Sequence, residues 1–133
     1  MAELINLKTF KDNRGNLTVI ENLPFPVKRI FYIYGVDHSL RGGHRHKITK
    51  QIAICLQGSC KIYNNDNETE DIFVLNAPDQ CLLLQPRDWH EMYDFSDDAI
   101  LMILASSIFD KEDYIHSPYR TKMRPAFEKL IDR

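Results

Sequence analysis

Short apolar and alternating segments recur about every 8–12 residues along most of the chain. In an extended strand successive side chains point to opposite faces, so alternation of apolar and polar residues indicates a strand with one buried face. Turn-forming residues, chiefly proline, glycine, asparagine and aspartate, separate most of these segments. The pattern predicts strands at 17–21, 27–34, 43–47, 51–56, 59–63, 71–75, 80–85, 90–95 and 99–105.

Many short strands at even spacing are typical of a barrel or a sandwich, because closure leaves few exposed sheet edges. Helical patterning occurs only near the end of the chain. Residues 110–115 can form one turn, and 125–132 opens with a proline, which suits the first position of a helix. The chain has no internal repeat, and 133 residues suffice for one core but not for two. We therefore expect one all-β domain over residues 1–133, a small barrel with a short C-terminal helix.

Charge and composition narrow the possible partners. The 17 basic and 19 acidic residues give a net charge of −2, which argues against general nucleic-acid binding. No segment approaches the roughly 18 apolar residues of a membrane span, and the N-terminus lacks the apolar stretch of a signal peptide. Cys55 and Cys81 lie in apolar segments, where a buried reduced thiol is expected. We therefore predict a soluble cytoplasmic protein with no nucleic-acid or membrane partner.

The strongest chemical signal is the segment Arg-Gly-Gly-His-Arg-His-Lys at residues 41–47. In a strand, His44 and His46 share a face because they are two residues apart. Two imidazoles on one face serve either as metal ligands or as an acid–base pair. The remaining interpretation is an exposed polar strand face. The flanking glycines and basic residues favour a site.

The spacing around these histidines resembles the first motif of the cupins. After His46 come four residues, then Gln51, then six residues, then Gly58. The second cupin motif is matched more loosely by a proline followed four residues later by His90. The resemblance implies a cupin-type jelly-roll barrel in which His90 joins His44 and His46.

One departure from the cupin pattern bears on metal binding. Gln51 stands where metal-binding cupins have a glutamate ligand. A neutral amide is a poorer ligand for a divalent ion than a carboxylate is. We therefore expect no metal and no cofactor, and direct use of imidazole as a general base, since its unperturbed pKa of ~6.5 lies near working pH. Three histidines with one open position can still bind zinc or iron, so a metal-dependent cupin oxygenase or isomerase is the alternative.

Basic residues gather around the histidines although the chain is net acidic. Arg41 and Lys47 flank the pair, and Arg14 lies in a turn before the first predicted strand. Arginine matches phosphate oxygens with a bidentate fork, so the grouping predicts an anionic ligand such as a diphosphate. Tyr32, in the predicted strand 27–34, can lend a phenol or a stacking surface, and core packing is an equally compatible interpretation.

Over nearly its whole length the chain resembles the nucleotide-sugar 3,4-ketoisomerases, single-domain cupins that act on dTDP-4-keto-6-deoxyglucose. The run Trp-His-Glu-Met-Tyr-Asp-Phe is far more specific than the cupin motifs alone. The matching segments are 12–15, 24–33, 41–47, 51–62, 86–95 and 104–115.

This resemblance implies a homodimeric, metal-independent enzyme that moves a ketone from C-4 to C-3 through an enediol. It implies that His44 and His46 act at the sugar carbons and that Arg41 anchors the substrate phosphate. The family usually carries two tyrosines where this chain has Phe31 and Tyr32. Phe31 has no hydroxyl, so any proton that the family's first tyrosine donates would have to come here from Tyr32 or from water. A non-catalytic cupin that binds a nucleotide sugar is the alternative outside the enzymes.

The resemblance also bears on the product. Members that make the galacto 3-keto sugar are similar to this chain in having an arginine in the Asp-x-x-Gly turn and a histidine before Glu-Met. Here these residues are Arg14 and His90. The implied product is dTDP-3-keto-6-deoxygalactose, a precursor for a 3-amino sugar.

Overall fold

A computed structural model describes residues 2–120. Apart from one 3₁₀ turn at Lys111–Asp113, its regular elements are strands. They are β1 (Glu3–Asn6), β2 (Lys8–Asp12), β3 (Gly15–Val19), β4 (Arg29–Ile33), β5 (Arg41–His46), β6 (Gln51–Gln57), β7 (Cys60–Asn65), β8 (Glu70–Leu75), β9 (Gln80–Leu84), β10 (Trp89–Tyr93), β11 (Ile100–Ala105) and β12 (Tyr114–Ile115).

Two five-stranded antiparallel sheets form the body of the fold. One has the order β1-β9-β6-β11-β4, which we call the first sheet, and the other has the order β12-β5-β10-β7-β8, which we call the second sheet. Strands β2 and β3 form a separate hairpin. Neighbouring strands in the order are often distant in sequence, so the site on any one strand is completed by residues from far along the chain.

The main core lies between the inner faces of the two sheets. Its buried side chains come from alternate positions of both sheets, as expected for strands with one face inward. They include Ala53, Leu82, Leu101 and Ile103 from the first sheet and Ile62, Leu75 and Met92 from the second. On the outer face of the first sheet, Ile52 and Ile54 pack in a second cluster that includes Phe25. This packing fixes which face of each strand is the interior.

The predicted barrel of short strands is confirmed, with differences at both ends of the chain. Strands β1 and β2 were not expected, because β1 is an edge strand and β2 belongs to an exposed hairpin, so neither shows a buried apolar face. The turn expected at 110–115 is a 3₁₀ turn followed by β12. The helix expected at 125–132 lies outside the described residues.

The cysteines and the hydropathy of the chain also bear on the sequence predictions. Cys55 and Cys81 are buried free thiols, as predicted, and Cys60 is also buried and free. Within residues 2–120, no helix is long and apolar enough to span a membrane.

Candidate active site

Three histidines meet on the inner face of the second sheet. His44 and His46 lie on β5, and His90 on the neighbouring β10 is the register partner of His44. The ring centroid of His44 lies 5.1 Å from that of His46 and 4.8 Å from that of His90. His46 and His90 are almost completely buried, whereas His44 is partly exposed. We call these three residues the histidine cluster. It forms because alternation places two imidazoles inward on β5 and strand pairing adds the third.

A buried carboxylate orients one of the three rings. Asp113 Oδ2 lies 2.7 Å from Nδ1 of His46. The same carboxylate accepts hydrogen bonds from the backbone nitrogens of Lys47 and Ile48 and from the hydroxyl of Thr49. Burial alone would raise the pKa of Asp113, but these hydrogen bonds, together with that from His46, outweigh it and lower the pKa to about 2.

An ionised Asp113 fixes the protonation of the His46 ring. The carboxylate accepts a hydrogen bond from Nδ1–H, a tautomer inferred from this contact, so the lone pair of the neutral ring lies on Nε2. Nε2 of His46 is buried and has no hydrogen-bond partner within residues 2–120. Leaving a buried nitrogen without a hydrogen-bond partner is costly, so the unpaired Nε2 of His46 indicates a position where a ligand binds.

The environment keeps the three imidazoles neutral at pH 7. Burial, followed by the charges of His44 and His46, lowers the pKa of His90 to about 3. Burial, followed by the charges of His46 and His116, lowers the pKa of His44 to about 4. Burial also lowers the pKa of His46, although the carboxylate beside it acts in the opposite direction. Neutral imidazoles can accept protons or bind a metal.

A β-bulge shapes the start of β5. His44 pairs with His90 but Gly42 pairs with Glu91, so Gly43 is an extra residue in this strand. Gly42 has a φ of 82°, which side chains rarely adopt, and a Cβ there would lie 2.9 Å from the carbonyl oxygen of His90. The glycine is therefore required for the close approach of the two strands beneath the cluster.

The bulge also determines the direction of Arg41. By simple alternation Arg41 and His44 would lie on opposite faces, because they are three residues apart. The extra residue instead places Arg41 opposite Met92, whose side chain lies in the inner core. Arg41 is exposed at the beginning of the strand, on the same face as the histidine cluster. This position suits an anion-binding residue at the rim.

The phenol beside the cluster belongs to a residue that sequence reasoning missed. The ring of Tyr114 lies 4.8 Å from that of His44 and 4.6 Å from that of His46. Tyr32, the predicted phenol, lies on the outward face of β4, is 62% exposed and stacks on Tyr34 at 5.7 Å. The inward position of β4 is taken by Phe31. The segment 104–115, which carries part of the family resemblance, contained Tyr114 and was the available signal.

The remaining predicted residues lie outside the histidine cluster. Arg14 is exposed in the β2–β3 turn, where its guanidinium bonds to Asp12 at 2.6 Å. Lys47 is exposed, and its backbone nitrogen bonds to Asp113. The described contacts of these two residues do not include the imidazoles of the cluster.

The cluster has a donor set that fits a metal ion as well as an acid–base pair. One ring nitrogen from each histidine lies within 4.8 Å of the others. Three neutral nitrogen ligands with an open fourth position are typical of catalytic zinc sites. The bond from Asp113 to His46 is also the kind of outer-shell contact that orients a metal ligand.

Comparison with known sequences gives one family. The profile of the FdtA family, described as WxcM-like, C-terminal, matches residues 1–123. The TDP-4-oxo-6-deoxy-alpha-D-glucose-3,4-oxoisomerase of Aneurinibacillus thermoaerophilus is 41% identical over 117 residues, covering 85% of this chain and 84% of that protein.

Solved structures with the same fold are similar over most of the chain. The sugar 3,4-ketoisomerase QdtA of Thermoanaerobacterium thermosaccharolyticum, in complex with TDP, is 42% identical with a TM-score of 0.83, covering 87% of this chain and 88% of its own. The TDP-fucose-3,4-ketoisomerase WlaRA of Campylobacter jejuni is 34% identical with a TM-score of 0.81, covering 97% and 94%. These likenesses confirm the cupin-type all-β fold expected from the sequence.

Proposed function

This chain belongs to the FdtA family and is a dTDP-sugar 3,4-ketoisomerase, and from that premise we propose that it converts dTDP-4-keto-6-deoxyglucose to the 3-keto isomer by histidine acid–base catalysis. The observation that carries the proposal is the pair of inward imidazoles His44 and His46, neutral at pH 7, with one of them held by Asp113. A variant of the related QdtA with one histidine replaced by asparagine has been solved with TDP-4-keto-6-deoxyglucose bound, which supports this substrate.

The reaction is a tautomerisation that needs no oxidant. A base removes the proton from C-3, the C–H electron pair forms a C-3–C-4 double bond, and the carbonyl π pair moves onto the C-4 oxygen. The C-4 oxygen is protonated, giving an enediol. The C-3 hydroxyl then loses its proton as the C-3 carbonyl forms, and C-4 takes up a proton. Substrate and product are isomers, so proton donors and acceptors suffice.

The two histidines have different environments for this work. Asp113 stabilises the imidazolium form of His46, so His46 can accept a proton at Nε2 and hold it. His44 has no carboxylate partner among the described residues and is less buried than His46, whose ring centroid lies 5.1 Å away. Tyr114, whose ring contacts both imidazoles, is placed to donate to a sugar oxygen. Tyr32 lies on the outward face of β4, away from the imidazoles, so Tyr114 is the better-supported phenol.

The experiment is incubation of the protein with dTDP-4-keto-6-deoxyglucose in deuterated water. We expect a 3-keto product that carries deuterium at C-4, and recovered substrate that carries deuterium at C-3. Both positions are read by NMR and mass spectrometry. A chain that binds the nucleotide sugar without exchange at either carbon would instead be the non-catalytic binding cupin.

We propose that Arg41 anchors the substrate diphosphate, with Arg14 and Lys47 contributing basic charge. Arg41→Ala should raise KM about tenfold or more while changing kcat much less, because a contact remote from the reacting carbons contributes equally to ground and transition states. Added salt should weaken wild-type binding, since exposed charge pairs are screened over ~10 Å at 0.1 M. An unchanged KM would remove Arg41 from the phosphate site.

The galacto product is the further part of the proposal. It depends on which face of the enediol receives a proton at C-4, and His90 and Arg14 are the residues that the family resemblance connects with that choice. A TDP-fucose and a TDP-quinovose 3,4-ketoisomerase of Campylobacter jejuni are both 34% identical to this chain, so overall identity does not decide between products. Trapping the product with a 3-aminotransferase and measuring the H-3/H-4 and H-4/H-5 couplings decides it. Two large couplings would indicate the gluco product and contradict this assignment.

A metal-dependent cupin is the second candidate, because the histidine cluster itself fits a divalent ion. His44, His46 and His90 would hold the ion, which would polarise a substrate oxygen as a Lewis acid. Metal analysis of protein purified without chelator, followed by assay after chelation, separates the candidates. Full isomerase activity in metal-free protein supports the acid–base proposal, and activity restored only by a metal supports the second candidate.

We propose a homodimer in the cytoplasm as the working form. The support is the outer face of edge strand β4 and the residue that follows it, where Ile30, Tyr32 and Tyr34 are each 60% or more exposed. Large exposed apolar groups on one face indicate an interaction surface. Sedimentation equilibrium should give twice the protomer mass, and a monomer at micromolar concentration would contradict the dimer.

A further inference from the structure

Arg29 is a basic residue on the inner face of the first sheet, opposite the sheet that carries the histidine cluster. It shares the inward face of β4 with Phe31 and Ile33, both of which pack against the main core. Its register partner on β11 is Ala105, which in turn pairs with Gln51 on β6. Arg29 therefore begins a row of inward positions across the first sheet.

Arg29 is partly buried, and its buried N–H group lacks the acceptor that such a group normally has. Its Nε is buried and has no hydrogen-bond acceptor, and no ion pair among residues 2–120 includes it. Two aromatic rings hold it, with the guanidinium carbon 5.3 Å from the ring of Phe31 and 5.7 Å from that of Phe109. Ring faces attract a cation but do not fill its N–H donors. Because a buried N–H donor without an acceptor is costly, this arrangement favours an anionic or strongly polar ligand.

Arg29 lies close enough to the histidine cluster to act on the same ligand. Phe109, which contacts the guanidinium, also contacts Tyr114 at 5.6 Å between ring centroids, and Tyr114 contacts His46 at 4.6 Å. The charge of Arg29 contributes to lowering the pKa of His46. A continuous row of contacts therefore joins the cation to the phenol and the imidazole.

We propose that Arg29 binds the oxygen that becomes negative when the keto sugar is enolised, an inference that rests on the proposed ketoisomerase function. As the C-3 proton leaves, the carbonyl π pair moves onto the C-4 oxygen, and the free N–H groups of Arg29 stabilise that charge. The C-4 oxygen is then protonated, the C-3 hydroxyl loses its proton as the C-3 carbonyl forms, and C-4 takes up a proton. The C-4 oxygen is left as a neutral hydroxyl, so the contact with Arg29 weakens. A preorganised donor in a water-poor site stabilises the transition state more than the ground state.

Arg45 provides a matched control. Its guanidinium also stacks on an aromatic ring, 4.2 Å from that of Tyr119. In contrast to Arg29, it has acceptors, the carbonyl oxygen of Ser117 at 3.1 Å and the hydroxyl of Tyr119 at 2.9 Å. It lies on β5 between the two inward histidines, so its side chain points to the other face. Loss of an arginine stacked on a ring can thus be compared inside and outside the site.

The test measures kcat and KM for dTDP-4-keto-6-deoxyglucose in Arg29→Gln, Arg29→Lys and Arg45→Gln, with thermal unfolding of each. Arg29→Gln should lower kcat about 10²–10³-fold, the usual effect of losing one oxyanion donor, with KM changed only a few-fold. Arg29→Lys should fall between wild type and Arg29→Gln, because it keeps the charge and loses the fork. Arg45→Gln should keep wild-type kcat.

Added guanidinium separates a chemical role from a packing role. It should restore part of the kcat of Arg29→Ala, while leaving Arg45→Ala unchanged. Three outcomes with an active wild type would overturn the role of Arg29 but not the proposed function. They are an unchanged kcat in Arg29→Gln, a loss in Arg29→Gln that is confined to KM, and a folded Arg29→Ala that guanidinium does not rescue. A wild type without isomerase activity overturns the proposed function as well.

Discussion

Burial of His90 as a neutral imidazole should make the fold sensitive to mild acid. His90 is 1% exposed, and burial lowers its pKa to about 3, whereas an unfolded histidine has a pKa of ~6.5. Between these values the unfolded chain binds a proton that the native chain does not. The free energy of unfolding is therefore almost unaffected by this histidine above about pH 6.5 and decreases as the pH falls below that value.

The size of the effect follows from the two pKa values. At pH 7 the unfolded state gains only about 0.2 kcal/mol from protonation of this histidine, and at pH 5 it gains about 2 kcal/mol. Any native pKa below about 4 gives nearly the same figure, because the native ring is then uncharged at both pH values. Asp113 does not contribute over this interval, since its pKa of about 2 and the unfolded value of 3.8 both lie below pH 5.

Urea unfolding of wild type and His90→Asn at pH 7 and pH 5 measures this difference, at one protomer concentration. We expect wild type to lose about 2 kcal/mol more than the variant does over the two pH units. His38→Asn is the control, because His38 is exposed and paired with the exposed Asp97, and it should lose as much as wild type does. Equal losses in wild type and His90→Asn would show that His90 is not held neutral in the native state.

Three further predictions concern the site. Replacing either His44 or His46 by asparagine should lower kcat about 10²–10⁴-fold with little change in circular dichroism or Tm, and near wild-type turnover in both folded variants would refute the assignment. Asp113→Asn should lower kcat by about 10³-fold or more, because an amide cannot stabilise the imidazolium of His46. The variant of its exposed neighbour, Glu112→Gln, should keep the wild-type kcat. Equal kcat values in the two variants would exclude a catalytic role for the Asp113–His46 pair. Gly42→Ala should reduce the free energy of unfolding, measured by denaturant titration, by about 2 kcal/mol. Alanine at positive φ is strained, and its Cβ would lie 2.9 Å from the carbonyl oxygen of His90. Unchanged stability would show that the bulge can relax.

The sequence by itself determined what depends on local geometry. Strand alternation has a period of two residues, so it correctly placed His44 and His46 on one face of a strand. Tyr32 and Tyr34 are also two residues apart, and their rings stack with centroids 5.7 Å apart. Turn residues and short alternating segments predicted the all-β barrel, and the resemblance of long segments identified the family. None of these signals requires knowledge of which strands are neighbours.

Tertiary structure decided the direction and the partners of those side chains. Packing of Phe31 into the core turned Tyr32 outward, although alternation allowed either face. An extra residue in β5 brought Arg41 onto the face of His44, where simple alternation placed it on the other. Local patterns do not reveal a bulge, because it is defined by the register with the neighbouring strand.

The electrostatics of the site depend even more on contacts between distant parts of the chain. Asp113 is 67 positions from His46 and reaches it only because β12 pairs with β5. Arg29 reaches the same region from the opposite sheet. Burial between the sheets then keeps the imidazoles neutral. The sequence determined which chemical groups are available, and strand pairing determined their distances and pKa values, because both depend on neighbours that are remote in the chain.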